Sequence, residues 1–278
     1  MSRQLVITAD DLGVDPATNS TIVELLAHGL VSASTLITVA PAATDAVQRV
    51  RAAGVPEPRL HVTLTSAREL GPWCPHSDDV PSLTDRHGAF PVSAAMAEWR
   101  AAPAEVYREM AAQLAWMHRT GLCPTVLDSH SGSLYGMRGR SLARTAVDFC
   151  ADHGLAMRLP RRLHPVLVSA VPLLRSRHLA AVARADALGV RLPATMIGAW
   201  LPGRMLRGYG HMRDGVLRQL RALPEGTSEL VVHPAPEHGA RLLVGPEGRK
   251  RVWELRLLND PVLARTLVEE DIRVVPTW

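Results

Sequence analysis

The chain has 278 residues, of which 47% are hydrophobic and 21% charged, with a formal net charge of +4. That balance is the one expected of a soluble globular protein, and no apolar run reaches the roughly 20 residues of a membrane-spanning helix. Three cysteines, Cys74, Cys123 and Cys150, are odd in number and far apart, which argues against a disulfide framework and a thiolate zinc site.

Residues 5–8 (Leu-Val-Ile-Thr) predict a buried strand that runs straight into the acid pair Asp10-Asp11 and then Gly13. Two adjacent carboxylates at a strand end are costly to bury without a counter-charge, and Gly13 supplies a chain reversal. The plain alternative is an Asp turn with an Asp helix cap. Residues 19–29 predict a helix, 34–39 a strand, 42–53 a helix stopped by Gly54, and 60–65 a strand with His61, Thr63 and Thr65 on one face. The rhythm breaks over 66–103, a long insertion with several prolines that reads as a lid or substrate-contacting segment. Its Trp73 and Trp99 either stack on a ring or pack the insertion down. A helix to about residue 120, a strand at 125–128, a helix at 139–153 and a strand at 155–159 follow. Residues 164–188 read as mainly helical, 195–199 as a sixth strand, 212–223 as a helix and 229–232 as a seventh strand. Helices at 247–258 and 261–269 and a strand at 272–275 complete the chain.

Repeated β-then-α with no composition break predicts one domain, 1–278, with a parallel sheet and right-handed crossovers. Seven or eight such units favour an α/β fold of the closed or nearly closed β/α-barrel type, possibly distorted, over a doubly wound sheet. No GxGxxG follows the first strand and no phosphate loop is present, so the nucleotide-binding fingerprints are missing.

Polar clusters sit at four strands: Asp10-Asp11, His61, Asp128-Ser129-His130 and His233. In a barrel the top-face positions of such strands converge. One carboxylate with two imidazoles makes a facial set for a divalent metal with positions left for water. The second Asp is then free to take a proton from metal-activated water, and a further His can protonate a leaving amine. Each imidazole taken alone could be a hydrogen-bonded core or loop residue. Acids and imidazoles at four otherwise apolar strands are more than a stable core requires.

The segments 9–13 (ADDLG), 29–35 (GLVSAST), 60–65 (LHVTLT), 124–130 (PTVLDSH), 229–234 (ELVVHP) and 251–258 (RVWELRLL) keep an order that resembles the YdjC/ChbG carbohydrate deacetylase family. The resemblance implies a β/α barrel related to polysaccharide deacetylases and metal-dependent hydrolysis of the N-acetyl group of an amino sugar or small glycoside. By position it implies that Asp11, His61 and His130 hold one divalent ion, zinc or magnesium. It also implies Asp10 as general base, His233 as acid, Arg158 orienting the base and Asp128 fixing the imidazole of His130. Ser131, Gly132 and Ser133 stand where many relatives carry further histidines, a pattern similar to a subgroup with a shorter Asp-Ser-His signature. That departure bears on the substrate and leaves the metal set intact.

Two other functions compete: a metal-dependent phosphoesterase or other amidohydrolase on the same barrel, and a non-catalytic carbohydrate-binding protein. Cys74, His76, Asp78, Asp79 and His87 form a rival metal cluster without regular spacing. Lys250 is the only lysine, and the arginines are spread along the chain, so no nucleic-acid partner is expected. A start with no signal-peptide layout makes the cytoplasm the expected location. Apolar residues around 166–174 offer a surface for a homodimer.

Overall fold

A computed structural model describes residues 2–163, 174–243 and 245–278. The first half runs β1 (Arg3–Leu12), α1 (Pro16–Ala27), β2 (Ala33–Leu36), α2 (Ala43–Ala53), β3 (Arg59–Val62), α3 (Ala94–Arg100), α4 (Pro103–Arg119), β4 (Val126–Ser129), α5 (Ala143–His153) and β5 (Ala156–Met157). The second half runs α6 (Leu174–Leu188), β6 (Met196–Gly198), α7 (Tyr209–Arg221), β7 (Gly226–Val232), α8 (Glu237–Ala240), α9 (Pro246–Leu258), α10 (Pro261–Glu269) and β8 (Ile272–Val274). Of the predicted helix at 164–188, the part before Leu174 lies outside the described residues, as does most of the proposed dimer surface; Leu174 itself is buried.

The strands form one parallel sheet in the order β5-β4-β3-β2-β1-β7-β6, with β8 added to the start of β1. The sheet curls until its edges meet at an isolated parallel bridge between Arg162 and Thr195. The expected barrel is therefore present, in distorted form. Its closure is irregular because β5 spans only two residues, and the backbone beyond it pairs with the approach to β6: Arg161 N–H donates to Pro193 and Arg162 N–H to Ala194.

Side-chain alternation assigns the two faces of this sheet. Leu5, Ile7 and Ala9 of β1, Leu60 and Val62 of β3, Leu127 of β4 and Leu230 and Val232 of β7 join the main apolar core against the helices. The alternate positions, Thr8 and Asp10, Arg59 and His61, Asp128, and Glu229, are also buried, but they are polar. The barrel interior thus carries a row of buried polar groups, and the register passes it across strands: His61 lies opposite Asp128, Thr35 opposite Arg59, and Glu229 opposite the apolar Val6. Helix faces complete the apolar layer, with Ile22, Val23, Leu25 and Leu26 of α1 and Val106, Met110, Leu114 and Met117 of α4 buried. The predicted stop at Gly54 holds, with a left-handed φ of 62°.

The 66–103 segment folds back on the core. Trp73, Val80, Leu83 and Phe90 are buried in the main cluster, whereas Trp99 is 69% exposed. The buried Glu109 of α4 accepts the N–H groups of His76 at 3.0 Å and Ser77 at 2.9 Å, which fixes the segment to the scaffold. His76 meets Thr38 and stacks on Trp116. Among the described residues, the groups able to hold an ion do not include the rival cluster.

Candidate active site

The site begins with a broken alternation. Consecutive strand residues point to opposite faces, yet Asp10 and Asp11 both reach the barrel mouth. The backbone allows this by placing Asp11 at φ 79°, and the register of β1 against β2 shifts between Ala9 and Leu12. Gly13 follows at φ 98°, and a Cβ there would lie 2.7 Å from the Ile37 carbonyl. The buried Asn19 of α1 accepts the Gly13 N–H at 2.7 Å. The helix cap is Asp15, whose side chain accepts from Ala17 and Thr18, so the acid pair is free of capping duty.

Asp11 Oδ1 lies 3.4 Å from His61 Nε2 and 3.3 Å from His130 Nδ1. Its Oδ2 is occupied by Arg251 of α9, at 2.5 Å. Oδ1 itself is buried and has no hydrogen-bond partner. A buried carboxylate oxygen without a donor, facing two imidazole nitrogens, is a donor set that suits a divalent cation of mixed N/O preference. The three ligand atoms lie within 4.8 Å of one another. His61 turns its other nitrogen, Nδ1, to Asp128 in a short hydrogen bond, the carboxylate–imidazole arrangement that orients a metal-binding histidine. Asp10, His61 and Asp128 also lie close enough to share an ion. That trio is already filled, because Arg158 takes both oxygens of Asp10 at 2.8 and 2.9 Å and its Nη2 lies 3.0 Å from Asp128 Oδ2.

The expectation that Asp128 fixes His130 is corrected by this geometry. Asp128 faces His61 because β3 and β4 pair the two residues directly, so their side chains share the inner face. His130 lies two positions on, where the strand has given way to a short turn.

Burial opposes the charged form of every acid here, and the neighbouring cations decide the outcome. Burial raises the Asp10 carboxyl, but Arg158, His61 and His233 together hold it below its usual range. Burial also works against Asp11, yet Arg251, His130 and His61 hold it well below that range. For His61 burial favours the neutral ring, and Asp128, Asp10 and Asp11 outweigh it, raising its pKa to about 10. Burial also lowers the His130 pKa from its ordinary value, against the opposite pull of Asp11.

His233, just past β7, places Nε2 3.8 Å from Asp10 Oδ2. Its backbone N–H donates to Glu254 of α9 at 2.8 Å, and Glu254 Oε2 lies 3.7 Å from Nδ1. Beneath the site, Glu229 Oε1 accepts from Thr8 at 2.5 Å, Arg59 at 2.8 Å and Arg158 at 3.0 Å. A cavity of about 360 Å3 is lined by Asp10, His61, Arg158 and His233 among others. All seven residues singled out from the sequence therefore meet in one region. Sequence reasoning missed Arg251, Glu254, Glu229 and Arg59. Glu229 and His233, and Arg59 and His61, share strand faces by alternation, and Arg251 and Glu254 lie three apart on one helix; those spacings were the available signals.

The family model described as YdjC-like protein matches residues 4–269. The chain belongs to the YdjC-like family. Two relatives of this YdjC-like protein are each named carbohydrate deacetylase. One, from Geobacillus stearothermophilus, is 26% identical over 99% of this chain and 97% of its own. The other, from Mus musculus, is 27% identical over 98% and 93%. A crystal structure from Enterococcus faecalis V583, of a protein assigned to cellobiose-phosphate cleavage, shares the fold with a TM-score of 0.77, 22% identity and coverage of 99% and 97%. Among the described residues no helix is long and apolar enough to cross a membrane.

Proposed function

We propose that this YdjC-like protein is a divalent-metal-dependent hydrolase that removes the N-acetyl group of an amino sugar or small glycoside. Carbohydrate deacetylation follows from the family and its named members. The metal dependence and the residue roles rest on one observation: the unpartnered Asp11 Oδ1 facing His61 and His130, beside a second carboxylate clamped by Arg158.

In this reading Asp11, His61 and His130 hold the ion. When bound, a divalent ion supplies Lewis acidity for the acetyl carbonyl and lowers the pKa of water. Arg158 keeps Asp10 ionised at neutral pH and fixes its plane, so a carboxylate oxygen stands ready to accept a proton from the attacking water. His233 lies across from Asp10 and delivers a proton to the departing amine. Glu254 holds the backbone of His233 and faces its Nδ1, which steadies the ring. Asp10 and Asp11 are neighbours in sequence with different partners, and so with different roles. A two-metal phosphoesterase finds no support, because the second acid-rich trio already carries Arg158.

The test is acetate release from a panel of N-acetylglucosamine derivatives. Turnover should vanish after chelation and return with zinc or magnesium. Acetate release that survives complete removal of metal would overturn the metal-dependent reading.

A further inference from the structure

The buried face of α6 is formed by Leu174, His178, Ala181 and Ala185. Positions three and four apart share one side of a helix, and on this side His178 is the one polar residue. It is 7% exposed. With Leu174, one turn before it, His178 lines the cavity that also holds Asp10, His61 and His233. Packing alone would be served better by an apolar side chain, because a buried ring nitrogen without a hydrogen bond is destabilising. Yet His178 Nε2 is buried and has no hydrogen-bond partner among the described residues.

The other ring nitrogen fixes what Nε2 can do. His178 hydrogen-bonds the backbone of Pro160 and Arg161, and with Nε2 unpartnered the bonding nitrogen is Nδ1. Pro160 has no N–H, and the Arg161 N–H is given to the Pro193 carbonyl, so both groups can only accept. Nδ1 therefore carries the proton. Burial lowers the His178 pKa from its ordinary value of 6.5, which leaves the ring neutral at pH 7. A neutral imidazole protonated on Nδ1 presents a bare lone pair at Nε2. Donors on the same cavity wall are directed elsewhere: the Tyr135 hydroxyl to the Arg158 carbonyl at 2.6 Å, and Arg158 to Asp10 at 2.8 and 2.9 Å.

We infer that His178 determines specificity in the deacetylation: its Nε2 accepts a hydrogen bond from a free ring hydroxyl of the amino sugar. This rests on the deacetylase reading and adds a recognition residue outside every segment that carries the family resemblance. A lone pair requires a donor, and an N-acetylated sugar has two kinds, its hydroxyls and its acetamido N–H. The acetamido nitrogen belongs beside His233, which protonates it as it departs, so the donor left for His178 is a hydroxyl. A fully ionised phosphate or carboxylate offers only acceptors and does not fit the lone pair. The competing occupant is a bound water that never touches substrate.

The experiment measures acetate release by the metal-loaded enzyme from methyl N-acetylglucosaminide and its 3-, 4- and 6-deoxy analogues, in the wild type, His178→Phe and His178→Gln. In the wild type one analogue should lose about 10–100-fold in kcat/KM against the parent sugar, the effect of leaving a buried acceptor without its donor. In His178→Phe that penalty should vanish, with the ratios for the other two analogues unchanged. His178→Gln restores an acceptor oxygen and should keep most of the penalty. Each protein is compared with itself across the sugars, so a loss of folded protein cancels from the ratios. A wild type that treats all analogues like the parent overturns the His178 inference and leaves the deacetylase reading standing. So does a penalty that persists in His178→Phe, as a water without substrate contact requires, or one that is lost equally in His178→Gln. Absence of acetate from every compound overturns both.

Discussion

At the scale of single residues, the decisive feature is the left-handed backbone of Asp11. A regular strand would send Asp10 and Asp11 to opposite faces. Holding a non-glycine residue at positive φ costs on the order of 1–3 kcal/mol, and such strain gathers at functional sites. Here it aims two acids into one mouth with different partners. Asp10→Asn should keep the bound ion, checked by calorimetry, and lose about 10²–10⁴-fold in turnover. Retained turnover would remove Asp10 as the base. Gly13→Ala places a methyl group against the Ile37 carbonyl at a positive φ and should lower stability by about 1–3 kcal/mol in thermal unfolding.

At the scale of elements, α9 matters more than its place near the end of the chain implies. One face of it meets two residues of the candidate site: Arg251 donates to Asp11 Oδ2, and Glu254 accepts the His233 N–H. Lys250 faces Glu254 at 3.9 Å and balances its charge. With Oδ2 engaged, only Oδ1 of Asp11 turns toward the two histidines. Arg251→Met should therefore weaken zinc binding about 10–100-fold by titration calorimetry, the usual cost of losing a group that orients a ligand. Unchanged affinity would mean that Arg251 merely packs.

At the scale of the whole molecule, a buried ion network replaces the apolar layers that usually fill a β/α barrel. Arg158 sits at its centre, 2% exposed, against Asp10, Asp128 and Glu229. Removing one partner from such a network strands the others, so Arg158→Met should cost about 3–5 kcal/mol in urea unfolding. The acid limb follows from linkage. Asp10 and Asp11 are held below the ordinary value of 3.8, so their contribution is full above that pH and is lost as pH falls through their lower folded values. The metal-free protein should lose stability below about pH 3.8, with a shallower fall in Asp10→Asn, as followed by circular dichroism.

The sequence by itself determined the parallel β/α order, the stop at Gly54, the glycine at position 13 and the set of acids and imidazoles, because those follow from periodicity and from residue chemistry confined to strand ends. It also pointed to the family, through motifs spread along the whole chain. Tertiary structure alone decided which acid meets which imidazole. Asp128 and His130 are near neighbours in sequence, yet strand pairing gives Asp128 to His61. Tertiary structure also brought Arg251 to Asp11 across 240 residues and shortened β5 to two residues where backbone from 191–194 took over its pairing. The reason is physical: periodicity reports which face a residue takes, whereas the partner across a buried space depends on register and sheet curl, and these are fixed only when the whole barrel closes.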